Sequence, residues 1–166
     1  MARIDTDLVW DWLSELPDPE IPAISLTDLG IIRDVEWQGD TLVVTVTPTY
    51  SGCPATSVIE MEIETALRAR GVTALQLRRR IAPAWTTDWI TPEGREKLRA
   101  YGIAPPIDGT APDGRIRRLA GGNMAVPCPR CASTATERIS QFGSTPCKAS
   151  WRCTACLEPF DYFKCH

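Results

Sequence analysis

Residues 41–55 read TLVVTVTPTYSGCPA and lead from a predicted strand, through a turn, into a predicted helix. The alternation of apolar and polar side chains up to Thr47 is typical of a half-buried strand. Gly52 permits a tight turn, and Pro54 suits the first position of a helix, where no N–H is needed. A cysteine at such a turn lies near unpaired backbone N–H groups and the positive end of the helix dipole, which favour the reactive thiolate. Cys53 is therefore a candidate nucleophile or metal ligand, the alternative being a small buried apolar residue.

Length and composition limit the class of protein. The chain has 166 residues, 43% of them apolar, enough for one core of ordinary size and a small appendage. No apolar run approaches the roughly 20 residues that span a membrane, and the acidic N-terminus contains no apolar signal region. We therefore expect a cytoplasmic protein without a membrane partner. Its 7 cysteines then indicate metal binding or thiol chemistry rather than disulfides.

The charge is unevenly distributed. Residues 1–112 have a net charge of −7 and residues 113–166 a net charge of +4. An acidic main body argues against nucleic acid as its ligand, because phosphate binding needs a basic face. The basic tail leaves that possibility open. The two parts could attract each other or meet different partners.

Hydrophobic periodicity predicts a small α+β domain over residues 1–106. The expected order is helix, hairpin, helix, strand and helix. Asp5 or Thr6 caps the first helix, which runs to about Leu16, and the hairpin covers residues 31–47. The second helix runs from near Ala55 to Gly71, and the third strand covers residues 73–81. Thr91-Pro92 opens a short helix that Gly102 closes.

Two loops of this domain carry candidate functional side chains. Pro17-Asp18-Pro19-Glu20-Ile21-Pro22 is a stiff, extended loop that holds two carboxylates. Taken alone, these carboxylates are better interpreted as solvated charges or as caps of the following turn. The later loop contains Trp85 and Trp89, which we expect to pack in the core rather than to bind a partner.

The arginine run Arg78-Arg79-Arg80 lies at the end of the third predicted strand. It could be an anion-binding patch. A solvated strand face or edge is the better interpretation, because charge at an edge discourages aggregation.

Residues 128–166 contain the strongest motif in the chain. Two CxxC knuckles, one formed by Cys128 and Cys131 and the other by Cys153 and Cys156, can place four thiolates on one tetrahedral ion. So short a segment has too little core to fold unaided, and a metal would supply the missing stability. Zinc is the expected metal, although iron or an iron–sulfur cluster takes the same ligands. Further candidate ligands are Cys147, Cys165 and His166.

A Gly- and Pro-rich linker over residues 107–127 joins this Cys₄ module to the main domain. Neither knuckle is followed by the glycine that is common in ribbon folds. Ala132 and Leu157 stand in those positions, which leaves the local geometry of the knuckles open.

Three motifs resemble the metal–sulfur cluster assembly domain of SufT-like iron–sulfur maturation factors. They are Asp18-Pro19-Glu20-Ile21-Pro22, Leu29-Gly30-Ile31-Ile32 and Thr47-Pro48-Thr49-Tyr50-Ser51-Gly52-Cys53-Pro54, in a match over about residues 5–104. The resemblance implies that the acidic loop, the threonines Thr47 and Thr49, and Cys53 cluster at one end of a small α+β domain.

The segment from Pro83 to Gly94 and the tail Phe160-Asp161-Tyr162-Phe163-Lys164-Cys165-His166 extend the resemblance to the whole chain. The chain is similar to the D-subunit family of bacterial phenylacetyl-CoA epoxidase (ring oxygenase) systems. This resemblance implies an accessory role in aerobic phenylacetate degradation, outside the catalytic oxygenase. The implied task is to install or repair the diiron centre of the oxygenase or the iron–sulfur cluster of its reductase.

Three hypotheses follow. In the first, a maturation factor uses Cys53 as a transient metal ligand, Asp18 and Glu20 as oxygen ligands or proton acceptors, and Thr47, Thr49 and Ser51 as orienting groups. In the second, the ribbon and the Trp85/Trp89 loop dock the oxygenase as a non-catalytic adaptor, and zinc is purely structural. The third is a thiol enzyme such as a reductase or a thioesterase, which lacks a visible base beside Cys53. A homodimer through sheet edges is also plausible.

Overall fold

The computed structural model describes residues 3–50, 52–107 and 125–164. The chain divides into two compact units, residues 1–85 and residues 86–166. Predictions made for Ser51, for most of the linker, and for Cys165 and His166 fall outside the described residues. No helix in the described ranges combines the length and the apolar character needed to cross a membrane.

The first unit consists of two helices and a three-stranded sheet. Its elements are α1 (Thr6–Ser14), β1 (Ile32–Gln38), β2 (Thr41–Val46), α2 (Thr56–Ala69) and β3 (Leu75–Arg79). The strand order is β1-β2-β3; β1 and β2 form the predicted antiparallel hairpin, and β3 lies parallel to β2. A parallel neighbour needs a crossover, which α2 supplies. The central strand β2 is buried from Leu42 to Val46, so the core surrounds it.

The second helix begins within one residue of the expected start near Ala55, but the placement of Pro54 at its first position was wrong. Thr56 opens α2 and Ala55 is its N-cap. Gly52 has a φ of +83°, and the N–H of Cys53 donates to Tyr50 O at 3.3 Å, which closes a separate turn ahead of the helix. Cys53 O then accepts from Thr56 N at 3.2 Å. Cys53 therefore occupies the turn that precedes α2.

The second unit is built on a four-stranded sheet. A 3₁₀ turn (Thr87–Trp89) and α3 (Pro92–Tyr101) precede β4 (Ile103–Ala104), β5 (Thr136–Ser140), β6 (Lys148–Cys153) and β7 (Pro159–Phe163). The strand order is β4-β7-β6-β5. The predicted ends of α3 are confirmed, since Thr91 Oγ1 accepts from Gly94 N at 2.9 Å and Gly102 has the left-handed φ of +95°.

The division between the units differs from the predicted boundary near residue 106. Strand β4 pairs in parallel with β7, through Ile103 with Asp161 and Ala104 with Tyr162. This pairing joins α3 and β4 to the ribbon strands. A two-residue strand with a partner far along the chain leaves no periodic pattern in the sequence, so local periodicity could not have placed this boundary.

Candidate metal centre and the Cys53 turn

The two knuckles bring four thiol groups together. Sγ of Cys128 and Sγ of Cys156 lie 3.7 Å apart, and Sγ of Cys131 and Sγ of Cys153 lie 3.6 Å apart. All four sulfurs lie within 4.8 Å of one another. A tetrahedral zinc ion with Zn–S bonds of about 2.3 Å separates its sulfurs by about 3.8 Å. The four cysteines therefore fit one tetrahedral metal ion.

Both knuckles use the same backbone arrangement. The N–H of the first cysteine donates to the carbonyl five residues on: Cys128 to Ser133 and Cys153 to Glu158, each at 2.9 Å. Backbone N–H groups also point at the sulfurs, with Arg130 N 3.4 Å from Cys128 Sγ and Cys156 N 3.5 Å from Cys153 Sγ. These donors stabilise thiolates, the form that binds metal.

The residues after the knuckles settle the geometry that the sequence left open. Ala132 has a φ of +60° and Leu157 a φ of +66°, the only non-glycine residues with positive φ in the described ranges. Glycine is common at such positions because it has no Cβ to clash. The chain thus keeps the left-handed turn without glycine, at a cost in backbone strain.

The thiols do not ionise equally in the metal-free protein. The N–H of Cys156 is the main cause that lowers the pKa of Cys153 to about 7. For Cys156, the Glu158 N–H lowers the pKa, but desolvation and the neighbouring sulfurs outweigh it and raise the pKa to about 12. The Ser133 N–H likewise lowers the pKa of Cys131, and desolvation and neighbouring thiols raise it overall. A bound cation would offset the electrostatic repulsion between neighbouring thiolates and so favour their ionisation.

An apolar cluster supports the metal centre from one side. Cys128 and Cys153 are buried in this cluster, whereas Cys131 and Cys156 are exposed. Trp151 and Tyr162 pack edge to face, with ring centroids 6.0 Å apart. The remaining members are Ala104, Val126, Ala149 and Phe160.

Cys147 lies outside the four-sulfur group. It is buried, and its Sγ lies 3.0 Å from Thr145 Oγ1. The burial of the neighbouring Lys148 was not predicted, because a lysine in a short strand gives no sequence signal. Its side chain is only 7% exposed, and its Nζ lies 3.7 Å from Asp161 Oδ2.

In the first unit, Cys53 is half-buried at the turn before α2. No side chain of a described residue caps the N-terminus of this helix, so backbone donors of the first turn are open to a ligand or to water. Thr47 is 1% exposed, and its hydroxyl has no hydrogen-bond partner in the part of the chain that the structure describes. Thr49 is half-buried. Partly exposed thiols at helix N-termini are the environment in which cysteines react.

Hydrogen bonds within the acidic loop stabilise its conformation. Asp18 is buried, and its Oδ1 accepts hydrogen bonds from Glu20 N at 2.9 Å and Ile21 N at 2.8 Å. Glu20 is half-buried. Among the described residues, the four knuckle cysteines form the only group of three or more ligands close enough to share a metal. Cys53, Asp18 and Glu20 are thus not gathered into a preformed metal site.

Trp85 belongs to the core, as expected. It is 4% exposed, and its Nε1 donates to Leu29 O at 2.9 Å. Trp89 is half-buried. The adaptor hypothesis therefore loses Trp85 as a docking side chain.

Family comparisons agree with the fold class predicted from the sequence. Residues 6–74 match a family described as "Iron-sulfur cluster assembly protein", and residues 112–164 match one described as "PaaD zinc beta ribbon domain". Fold and site together define a cluster assembly domain followed by a zinc ribbon. The chain is 50% identical over 157 residues to an Escherichia coli (strain K12) protein, covering 95% of this chain and 91% of that relative. That relative is named as the D subunit of a "Putative 1,2-phenylacetyl-CoA epoxidase". The chain belongs to this D-subunit family.

Solved structures resemble part of the chain. A domain of unknown function from Bacillus anthracis has a TM-score of 0.51 and 22% identity, over 55% of this chain and 89% of its own. A conserved hypothetical protein from Thermotoga maritima has a TM-score of 0.50 and 26% identity, over 59% of this chain and 98% of its own. The first of these likenesses concerns the fold alone.

Proposed function

We propose that this protein is a non-catalytic accessory factor of a phenylacetyl-CoA epoxidase system that helps to assemble or repair a metal cofactor. The observation that carries this proposal is Cys53, a half-buried thiol before the uncapped N-terminus of α2, in a domain that matches an iron–sulfur assembly family. The name of the Escherichia coli relative supports oxygenase or reductase subunits as its partners. The client cofactor would be the diiron centre of the oxygenase or the iron–sulfur cluster of the reductase.

Cys53 would bind the transferred metal as one ligand among several. A single thiolate holds an ion weakly, so the remaining ligands would come from the donor or the client, and release would be easy. Asp18 and Glu20 would act as oxygen ligands or proton acceptors, and Thr47, Thr49 and Ser51 would orient the bound group by hydrogen bonds. The protein would do this in the cytoplasm.

The knuckle cysteines would hold a structural zinc ion. Four thiolates close the tetrahedral shell and leave no open position for a substrate, as in structural zinc sites. The close approach of the sulfurs supports this role. Iron in the same ligands remains an alternative outcome of metal analysis.

The test is oxygenase activity in cells that carry Cys53→Ser. We expect this variant to abolish maturation while the purified protein keeps its fold and its zinc. The matched control is Ser57→Ala, which changes an exposed residue in the first turn of α2 and should leave maturation intact. Full oxygenase activity in the Cys53→Ser strain would refute the role of Cys53.

A further inference from the structure

The three consecutive arginines at the end of β3 differ in their ion pairing. Arg78 Nη1 lies 3.6 Å from Glu36 Oε1. Arg79 contacts Glu60 twice, Nη2 to Oε2 at 2.7 Å and Nε to Oε1 at 2.9 Å. Arg80 is exposed, and no carboxylate lies within 4.0 Å of its guanidinium in the part of the chain that the structure describes. The solvated-edge interpretation therefore accounts for Arg78 and Arg79 but leaves the charge of Arg80 uncompensated.

Backbone pairing brings Arg80 to the same strand end as Arg33. The N–H of Arg80 donates to Val46 O at 2.9 Å, at the C-terminal end of β2. On the other side of β2, Ile32 and Asp34 pair with consecutive residues, which leaves Arg33 as the extra residue of an irregular step. Such bulges redirect a side chain and are common beside functional sites. The two arginines thus flank the end of β2 from its two neighbouring strands.

The two guanidinium groups act on each other. Arg33 is half-buried, and burial is the main cause that lowers its pKa, with repulsion from Arg80 as a further cause. Arginine forks bind carboxylate and phosphate oxygens in pairs. An oxyanion between two such groups would relieve their repulsion, in a domain whose overall charge is negative.

Cys53 belongs to the same end of the sheet. The chain leaves β2 at Val46 and reaches the Cys53 turn through a short loop. Helix α2 then begins, and its second turn is held against the end of β3 by the pair of Glu60 with Arg79. The unsatisfied hydroxyl of Thr47 lies next in sequence to Val46. The thiol and the two mutually repelling arginines therefore share one end of the first unit.

We propose that Arg33 and Arg80 form an oxyanion-binding subsite beside Cys53. It would hold the carboxylate or phosphate group of a small anionic ligand whose other end meets the thiol. A role of this subsite in selecting an anionic metal carrier rests on the proposed function. The subsite itself can be tested without any maturation assay, so the two proposals can fail separately.

The test compares the alkylation of Cys53 by iodoacetate, which is anionic, and by iodoacetamide, which is neutral. The zinc-loaded full chain is used, and the modified cysteine is identified by mass spectrometry. We expect Arg80→Ala to slow iodoacetate about threefold, the effect of one charge roughly 6 Å away in water. Iodoacetamide should react at an unchanged rate. The control Arg78→Ala removes a neighbouring arginine already paired with Glu36 and should change neither rate.

A second arm uses inorganic phosphate at constant ionic strength. Phosphate should slow iodoacetate saturably in the wild type and lose this effect in Arg80→Ala. If Arg80→Ala slows both reagents alike or neither, the subsite is refuted. If phosphate acts no differently from sodium chloride, only salt screening is present, and the subsite is equally refuted.

Discussion

The residues after the knuckles, which have a left-handed backbone conformation, provide a prediction at the scale of single residues. Ala132 has a φ of +60° with an exposed side chain, so glycine would remove strain without opening a cavity. We expect Ala132→Gly to raise the free energy of unfolding of the metal-bound protein by about 1 kcal/mol. Chemical denaturation with zinc present measures the change.

The control for this prediction is Ala135→Gly. Ala135 is also exposed, but its φ is not positive, so glycine there only adds freedom to the unfolded chain. We expect a small loss of stability. Equal effects of the two substitutions would mean that Ala132 is not strained.

For single residues, the sequence predicted which side chains form the metal centre better than it predicted their backbone conformation. Spacing alone identified Cys128, Cys131, Cys153 and Cys156, because a CxxC knuckle determines where its own two sulfurs point. It could not show that Ala132 and Leu157 would adopt the conformation that glycine favours. It also missed Arg33, because a bulge depends on the pairing of two strands and leaves no mark in the residue types.

The predictions at the scale of structural elements concern the loop over residues 16–31, which carries the acidic motif. Trp85 stabilises this loop through the hydrogen bond from its Nε1 to Leu29 O, and both residues are buried. Trp85→Phe keeps most of the ring but leaves a buried carbonyl without its donor. We expect a loss of about 1–2 kcal/mol in the free energy of unfolding, measured by chemical denaturation.

Trp37→Phe is the matched control. Trp37 Nε1 donates to Ile4 O at the same distance of 2.9 Å, but both residues are only half-buried. Water can replace the lost donor there, so we expect a clearly smaller loss. A loss as large as that of Trp85→Phe would contradict the argument from burial.

Element order was predicted well because amphipathic periods and caps are local. The hairpin and the ends of α3 at Thr91 and Gly102 were confirmed for that reason. Pro54 was misplaced at the first position of α2, because the bond from Cys53 N to Tyr50 O forms a separate turn that no propensity predicts. The pairing of β4 with β7 was missed, because its partners are distant in sequence.

At the scale of the whole molecule, the two units should respond differently to metal removal. Each unit has its own sheet, and among the described residues only the second contains the four-sulfur group. We expect a strong chelator to expose the amides of β5, β6 and β7 to hydrogen exchange while β1, β2 and β3 stay protected. Protection that persists in all strands after complete metal loss would show that the metal is dispensable for folding.

The same centre should lose affinity for zinc as the pH falls, because protons and zinc compete for the sulfurs. In the metal-free protein the pKa of Cys156 is raised to about 12 and the pKa of Cys131 is also raised, so at pH 7 zinc must displace a proton from each of these thiols. Each displaced proton weakens binding about tenfold for each pH unit lost. The pKa of Cys153 is about 7, so below pH 7 a further proton competes and the dependence steepens. Chelator competition at pH 6, 7 and 8 measures this, and Cys53→Ser, in the other unit, should give the same profile. An affinity that is constant over this range would mean that the thiols are already ionised before zinc binds.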